Sequence, residues 1–319
     1  MIEISKDIDR AAQILSRGGL VAIPTETVYG LAGNIFDETA IKSIFEKKNR
    51  PLFNPLIVHV KSMEYIQNIA SYIPPKAEQL ADAFWPGPLT LVLKKKAIVP
   101  HIITAGKDTV AIRMPDHPVT QQLLRAIDFP LAAPSANPFG KISPTNAEHV
   151  ASYFENDLEM VLDGGQCKRG IESTIVGFND DTPALYRLGS ISKEEVEKII
   201  GPIESMTRND DSPEAPGMLS RHYAPNTPTN LVTDVSAFLK NHPHRRIGVI
   251  VFTQKNALPP YSVLRVLSID GDYQEAASKL YSTLHELDKL NLDMIVAERF
   301  PDEGLGKSIN DRLERATKK

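Results

Sequence analysis

From Leu20 to about Ile200 the chain alternates short β-rich runs with stretches of helical period. The runs "LVAIP", "PLIVHV", "LTLVL", "TVAIRMP", "FPLAAP", "MVLDGG", "STIVGF" and "ALYRLG" carry the β-branched and aliphatic residues of strands. Helices fit "DIDRAAQILSRG", "DETAIKSIFEKK", "PPKAEQLADAF", "HPVTQQLLRAI", "NAEHVASYF" and "SKEEVEKII". That mixture predicts an α/β or α+β unit with a large sheet. No fixed-period repeat interrupts it.

A polar, proline-rich stretch follows, "TRNDDSPEAPGMLSRHYAPNTP", with the composition of an interdomain linker. The cluster Arg221, His222, Tyr223 within it carries more recognition chemistry than a spacer needs. Beyond it, "TNLVTD", "RRIGVIVFT", "SVLRVLSI" and "LDMIVAERF" read as strands with helices between, ending in "SINDRLERATKK". The predicted organisation is a larger domain over 1–205, a linker over 206–228, and a small α/β domain over 229–319.

Alternation inside the strands selects candidate chemistry. In "PLIVHV", Leu56, Val58 and Val60 share one face, and Ile57 and His59 the other. In "TVAIRMP", Val110, Ile112 and Met114 form the apolar face, while Thr109 and Arg113 flank the small Ala111. Arg113 offers a planar fork suited to a carboxylate or phosphate. The helix "DETAIKSIFEKK" has Asp37 as N-cap and a stripe of Ile41, Ile44 and Phe45 that continues onto Lys48. Its amine is expected to emerge beside the sheet, next to Arg50 and Asn54. A snorkelling lysine and a solvated arginine are the plain structural alternative. "AAPSANPFGKISPTN" adds Ser135, Asn137 and Ser143 on a helix-breaking loop, and Ser173 and Arg187 sit at strand ends.

Composition narrows the function. The net charge is −4, and residues 1–205 carry 21 Lys+Arg against 25 Asp+Glu, residues 206–319 carry 15 against 15. Neither part is a basic nucleic-acid module, so any RNA contact is expected to be local, weak and transient. The single cysteine, Cys167, excludes an internal disulfide and a cysteine-based zinc site. No apolar run is long enough to span a bilayer. The start, "MIEISKDIDRAAQIL", does not read as a secretory signal, so a cytoplasmic location is expected. There is no G-x-G-x-x-G, G-x-S-x-G or zincin motif. "PDEGLGKS" ends like a phosphate-binding loop, yet Pro301 stands where its first glycine belongs. What remains is a set of cations and hydrogen bonders. Such a set suits catalysis by positioning ligands and neutralising phosphate charge.

Together "GGLVAIPTETVYGLAGN", "KKNRPLFNPLIVHV", "FWPGPLTLVL", "VAIRMPDHP", "APSANPFGKISPT", "DGG…ESTIV" and "YRLGSIS" resemble the YrdC-like domain of threonylcarbamoyl-AMP synthases over nearly all of residues 10–200. "RHYAP" and the C-terminal unit resemble the long, two-domain form of that family, which implies that 1–205 is the catalytic domain and that the linker over 206–228 folds over the active site. The resemblance implies a twisted mixed sheet enclosing a large concave cavity, with a small Rossmann-like α/β domain behind it. It implies a nucleotidyltransferase making threonylcarbamoyl-adenylate and pyrophosphate from L-threonine, bicarbonate and ATP. A downstream threonylcarbamoyl-transferase complex would then modify the tRNA adenosine beside the anticodon. By position, Thr27, His59, Arg113, the backbone at Ala133, and Ser173 match the threonine pocket. Arg50, Asn54, Thr109, Ser135, Ser143, Arg187 and Tyr223 match the ATP positions, and Lys48 and Arg50 form the K-x-R pair to which catalysis is ascribed. Magnesium is expected to travel on the ATP phosphates rather than in a protein cage. Three rivals stand beside this: an RNA-binding module using the same concave surface; the related hydrogenase-maturation proteins, whose zinc modules one cysteine cannot build; and an ATP-dependent kinase based on "GLGKS", which Pro301 argues against.

Overall fold

The computed structural model describes residues 2–206, 213–219, 222–243, 245–253 and 262–318. Arg221 of the linker cluster lies outside them. The first unit's strands are β1 (Glu3–Ser5), β2 (Val21–Ile23), β3 (Gly30–Asn34), β4 (Ile57–His59), β5 (Leu89–Lys94), β6 (Thr109–Arg113), β7 (Leu131–Ala132), β8 (Met160–Leu162), β9 (Thr174–Asn179), β10 (Thr182–Arg187) and β11 (Glu204–Ser205). They form one mixed 11-stranded sheet in the order β1-β8-β2-β3-β7-β4-β6-β5-β9-β10-β11. Its helices are α1 (Ile8–Ser16), α2 (Glu38–Lys48), α3 (Met63–Ile69), α4 (Pro75–Phe84), α5 (Pro118–Ala126), α6 (Ala147–Phe154) and α7 (Lys193–Ile200). The second unit holds β12 (Thr229–Val232), α8 (Val235–Lys240), β13 (Ile247–Val251), β14 (Ser262–Val266), α9 (Tyr273–Asp288), β15 (Met294–Glu298) and α10 (Leu305–Ala316). Its four strands are all parallel, ordered β12-β15-β13-β14.

Strand alternation builds the concave face. Val58 of β4, its flanking residues Leu56 and Val60, and Val110 and Ile112 of β6 enter the main apolar core. Ile57 and Ala111 turn to the other face and pack with Val92, Ile175 and Met218. The two strands run parallel with His59 opposite Arg113, so one register decision places both polar side chains side by side. Two strands of the sheet escape the hydrophobic pattern. β3, "GLAGN", has no β-branched residue, and β1 is an exposed edge of three residues. Pairing on both sides by β2 and β7 holds β3 in place of intrinsic propensity.

α2 aims the K-x-R segment. The Asp37 side chain accepts from the Ala40 amide, Ile41, Ile44 and Phe45 are buried, and Asn49 ends the helix in the left-handed region at φ 50°. Asn tolerates that conformation better than most residues. The turn then sends Arg50 inward.

The units are not strung loosely. Val28, Ile142 and Ile171 of the first and Leu280, Tyr281 and Leu284 of α9 share one apolar core with Tyr223 of the connecting segment. The Ser308 hydroxyl on α10 donates to the Gly189 carbonyl at 2.8 Å, and Lys307 pairs with Glu194 of α7. The glycine-rich "GLGKS" is therefore the start of α10, with Gly304 as N-cap, and its lysine and serine dock one unit on the other. Among the described residues, no helix is long and apolar enough to cross a membrane.

Candidate active site

A cavity opens on the concave face. Its wall takes Thr27 and Val28 from the loop after β2, Arg50, Ile57 and His59 from the α2–β4 segment, and Arg113 from β6. Ala133, Pro134 and Ser135 follow β7, Glu172 and Ser173 precede β9, and Arg187 ends β10. Pro216, Gly217, His222 and Tyr223 of the connecting segment complete it. Thus the structure brings together Thr27, Arg50, His59, Arg113, Ala133, Ser135, Ser173, Arg187 and Tyr223 of the residues singled out in the sequence.

Four other residues singled out in the sequence, Lys48, Asn54, Thr109 and Ser143, stand off the wall. The Lys48 side chain is itself buried, and its amine donates to the carbonyls of Ser135 and Asn137 instead of emerging beside the sheet. Burial, with the like charge of Arg50, holds that amine well below the usual lysine range. Asn54 uses its carbonyl to accept from Arg50 Nε at 3.2 Å. Thr109 begins β6 at its far end from Arg113, and Ser143 donates to Glu172 Oε1 at 2.7 Å from behind the wall.

One end of the cavity is a neutral ring beside a paired cation. Arg113 Nη2 donates to Glu26 Oε1 at 2.6 Å, and the other oxygen of Glu26 accepts from the Asp116 amide at 3.0 Å. Arg113 Nε, buried, has no partner among the described residues. Burial, with the charge of Arg113, pulls His59 down to about 3, so its ring is neutral at neutral pH. His59 Nδ1 lies 3.3 Å from the Ile57 carbonyl, which orients the ring. Thr90 and Ser173 share a hydroxyl–hydroxyl hydrogen bond at 2.8 Å.

The other end is cationic. Arg50 donates to the carbonyls of Asn54 and Pro55, and Arg187 to those of Ser173 and Pro216. Burial pushes both guanidinium groups down from their ordinary value, each also under the like charge of other arginines, yet both stay cationic at neutral pH. Gly217 lies against Arg187 at φ 80°, where a Cβ would come within 2.7 Å of Nη1. Only glycine lets the connecting segment close this tightly over the guanidinium. Glu172 is the carboxylate in the wall. It accepts from Ser143, from the Tyr281 hydroxyl at 2.9 Å and from Arg312 Nε at 3.0 Å. Burial alone would raise it; Arg312, Arg187 and Ser143 outweigh burial and keep it ionised. His222, buried beside Arg315, Lys48, Arg50 and Arg187, is held neutral, first by desolvation and then by those charges.

Sequence reasoning passed over Glu26, Glu172, Thr90, Tyr281, Arg312 and Arg315. Glu26 and Glu172 had a signal, since each is an acid beside a residue already singled out. The arginines of α10 had none, because nothing in "SINDRLERATKK" shows which face of the helix meets the first unit.

A family model named for Sua5, YciO and YrdC and described as "Telomere recombination" matches residues 13–189. A second, "Threonylcarbamoyl-AMP synthase, C-terminal domain", matches residues 191–317. The threonylcarbamoyl-AMP synthase of Pyrococcus abyssi is 42% identical over 96% of this chain and 93% of its own length. That of Bacillus subtilis is 40% identical over 97% and 92%. The crystal structure of P. abyssi Sua5 complexed with L-threonine superposes with a TM-score of 0.91, covering 99% of this chain and 97% of that one at 40% identity. E. coli YciO shares the fold over 59% of this chain, with a TM-score of 0.53 at 23% identity. On this full-length similarity, across both units and the segment between them, the chain belongs to the threonylcarbamoyl-AMP synthase family.

Proposed function

We propose that this protein makes L-threonylcarbamoyl-adenylate and pyrophosphate from L-threonine, bicarbonate and ATP, the intermediate from which a threonylcarbamoyl-transferase complex modifies tRNA next to the anticodon. One observation carries the reading. A single cavity joins a neutral, fork-bearing end at His59 and Arg113 to a cationic end at Arg50 and Arg187. An amino acid and a nucleotide triphosphate need those two chemistries within reach of each other.

Threonine takes the first end. Its carboxylate meets the guanidinium of Arg113, while Thr27, His59, the backbone at Ala133 and Ser173 surround the side chain and amine. The amine and bicarbonate give a carbamate with loss of water. A carbamate oxygen then attacks the α-phosphorus, the bond to the bridging oxygen breaks, and pyrophosphate leaves with that electron pair. Arg50 and Arg187 neutralise the phosphates, Ser135 supplies a hydroxyl and Tyr223 closes over the nucleotide. Lys48 acts from behind: by binding two carbonyls it holds the loop that carries Ser135. Asn54 and Ser143 act in the same indirect way, through Arg50 and Glu172. Thr109 keeps the expected ATP role although it is not a lining residue of the cavity.

The donor set fits magnesium arriving on the phosphates. Glu172, the carboxylate of the wall, is already engaged by Ser143, Tyr281 and Arg312, and among the described residues no group of acids, histidines and cysteine forms a cage. When bound, the ion supplies extra charge neutralisation on the phosphate oxygens. The division of labour we propose follows the two sheets: catalysis over 1–205, closure over 206–228, and support from 229–319. The test is pyrophosphate release from ATP that depends on threonine and bicarbonate, with the adenylate identified by mass.

A further inference from the structure

Two arginines of α10, Arg312 and Arg315, belong to the second unit yet are 0% and 1% exposed against the first. A buried guanidinium is costly unless its hydrogen bonds are met. Arg312 meets most of that demand with Glu172 and with Asp311, its Nη1 lying 2.8 Å from Asp311 Oδ2, while Nη2 finds no partner among the described residues. Arg315 does so less completely. Its Nη1 lies 3.4 Å from Asp311 Oδ2 and donates to the Tyr223 hydroxyl at 3.3 Å, while Nε and Nη2 find no partner among the described residues.

What Arg315 has instead is a ring. Its Cζ lies 4.6 Å from the centroid of Tyr223, with that of Arg312 at 5.4 Å. His222 meets the same ring edge-on at 4.2 Å, and Tyr281 lies 5.5 Å away. Tyr223 holds φ at 65°, where a bulky side chain persists only if its surroundings fix it. The guanidinium plate, the donor to the Tyr223 hydroxyl and the carbonyl that accepts from the His222 amide all come from one residue of α10, Arg315.

We propose that Arg315 is a positioning residue for the nucleotide end of the cavity, acting through Tyr223, and that this contact is how the C-terminal unit takes part in the reaction. The proposal rests on the ATP site read above. Arg315 supplies a flat cationic face and a donor at the hydroxyl, so Tyr223 presents one face to the cavity despite its unfavourable backbone. Threonine, bound at the far end against Arg113, does not feel that contact.

Pyrophosphate release by the full-length protein, with ATP and threonine varied in turn, tests this. Arg315→Gln should raise KM for ATP about fivefold or more and leave KM for threonine within about twofold. Arg315→Lys should not rescue, since an ammonium has neither the plate nor the fork. In a Tyr223→Leu background Arg315→Gln should add less than about twofold, because the two residues act as one unit. Equal rises in both KM values, rescue by lysine, or an undiminished effect without Tyr223 would overturn the proposal. Should Arg315→Gln not fold, Tyr223→Phe removes only the hydroxyl; a roughly twofold rise in KM for ATP alone is expected, and no change counts against it. Were the wild type inactive with threonine, the reading of the reaction would fail by itself. ATP affinity by calorimetry would then decide Arg315 separately, about fivefold weakening supporting the proposal and none refuting it.

Discussion

The two ends of the cavity hold their arginines differently. Arg113 is tied to a carboxylate, Glu26, at 2.6 Å. Arg50 and Arg187 are tied to carbonyl oxygens of Asn54, Pro55, Ser173 and Pro216. A carboxylate cancels most of a guanidinium's charge and leaves a directional fork; carbonyls orient the fork and leave the charge standing. The first arrangement suits one small anion and the second a polyanion. Position in the fold alone would not have separated them, since Arg113 and Arg187 both sit at strand ends.

The largest effect should come from the end whose arginines are held by carbonyls. Arg50→Ala is expected to lower kcat/KM for ATP about 100-fold or more, with threonine affinity by calorimetry nearly unchanged. Equal loss of threonine binding would merge the two ends into one. Next, Arg113→Ala should raise KM for threonine by a factor on the order of 30 while ATP affinity holds. Removing its partner probes stability instead. Glu26→Ala leaves a buried cation unpaired and should cost about 3 kcal/mol in denaturant unfolding, and a loss no larger than that of a surface substitution would show the pair to be dispensable.

A smaller, graded effect comes from pH. Desolvation leads in bringing His59 and His149 to about 3 and His285 to about 4, against 6.5 for an ordinary histidine. These folded-state values lie below the unfolded one, so the unfolded chain takes up protons first as pH falls. The stability they contribute is complete above pH 6.5 and drains away between about 6.5 and 3. His149 and His285 stack at 3.8 Å across the two units, and His285→Phe should flatten the slope of Tm against pH. An unaltered slope would assign the loss elsewhere. Smallest, Ser308→Ala removes the α10 bond to the Gly189 carbonyl, and about 1 kcal/mol of lost stability is expected from the orphaned acceptor.

Much of the first end was legible because strand alternation is a local rule. Once β4 and β6 are strands, Ile57, His59, Ala111 and Arg113 must face the same way. The helix stripe through Ile44 and Phe45 likewise reached Lys48, although it could not say where the amine would go. That depended on the loop at Ser135, distant in sequence. β3 was illegible for another reason: "GLAGN" has no strand propensity, and its pairing partners create the strand. Arg312 and Arg315 show the hardest case. Their burial is decided by how α10 meets Glu172 and Tyr223, a contact between units that no pattern within either one encodes.

The most direct measurement is pyrophosphate release from ATP by the purified protein, in bicarbonate and magnesium, with threonine, serine, valine or no amino acid. The account predicts release that requires threonine, accompanied by threonylcarbamoyl-adenylate. A folded protein that binds ATP but releases no pyrophosphate with any of these amino acids would contradict it, and the concave surface would then belong to another acceptor.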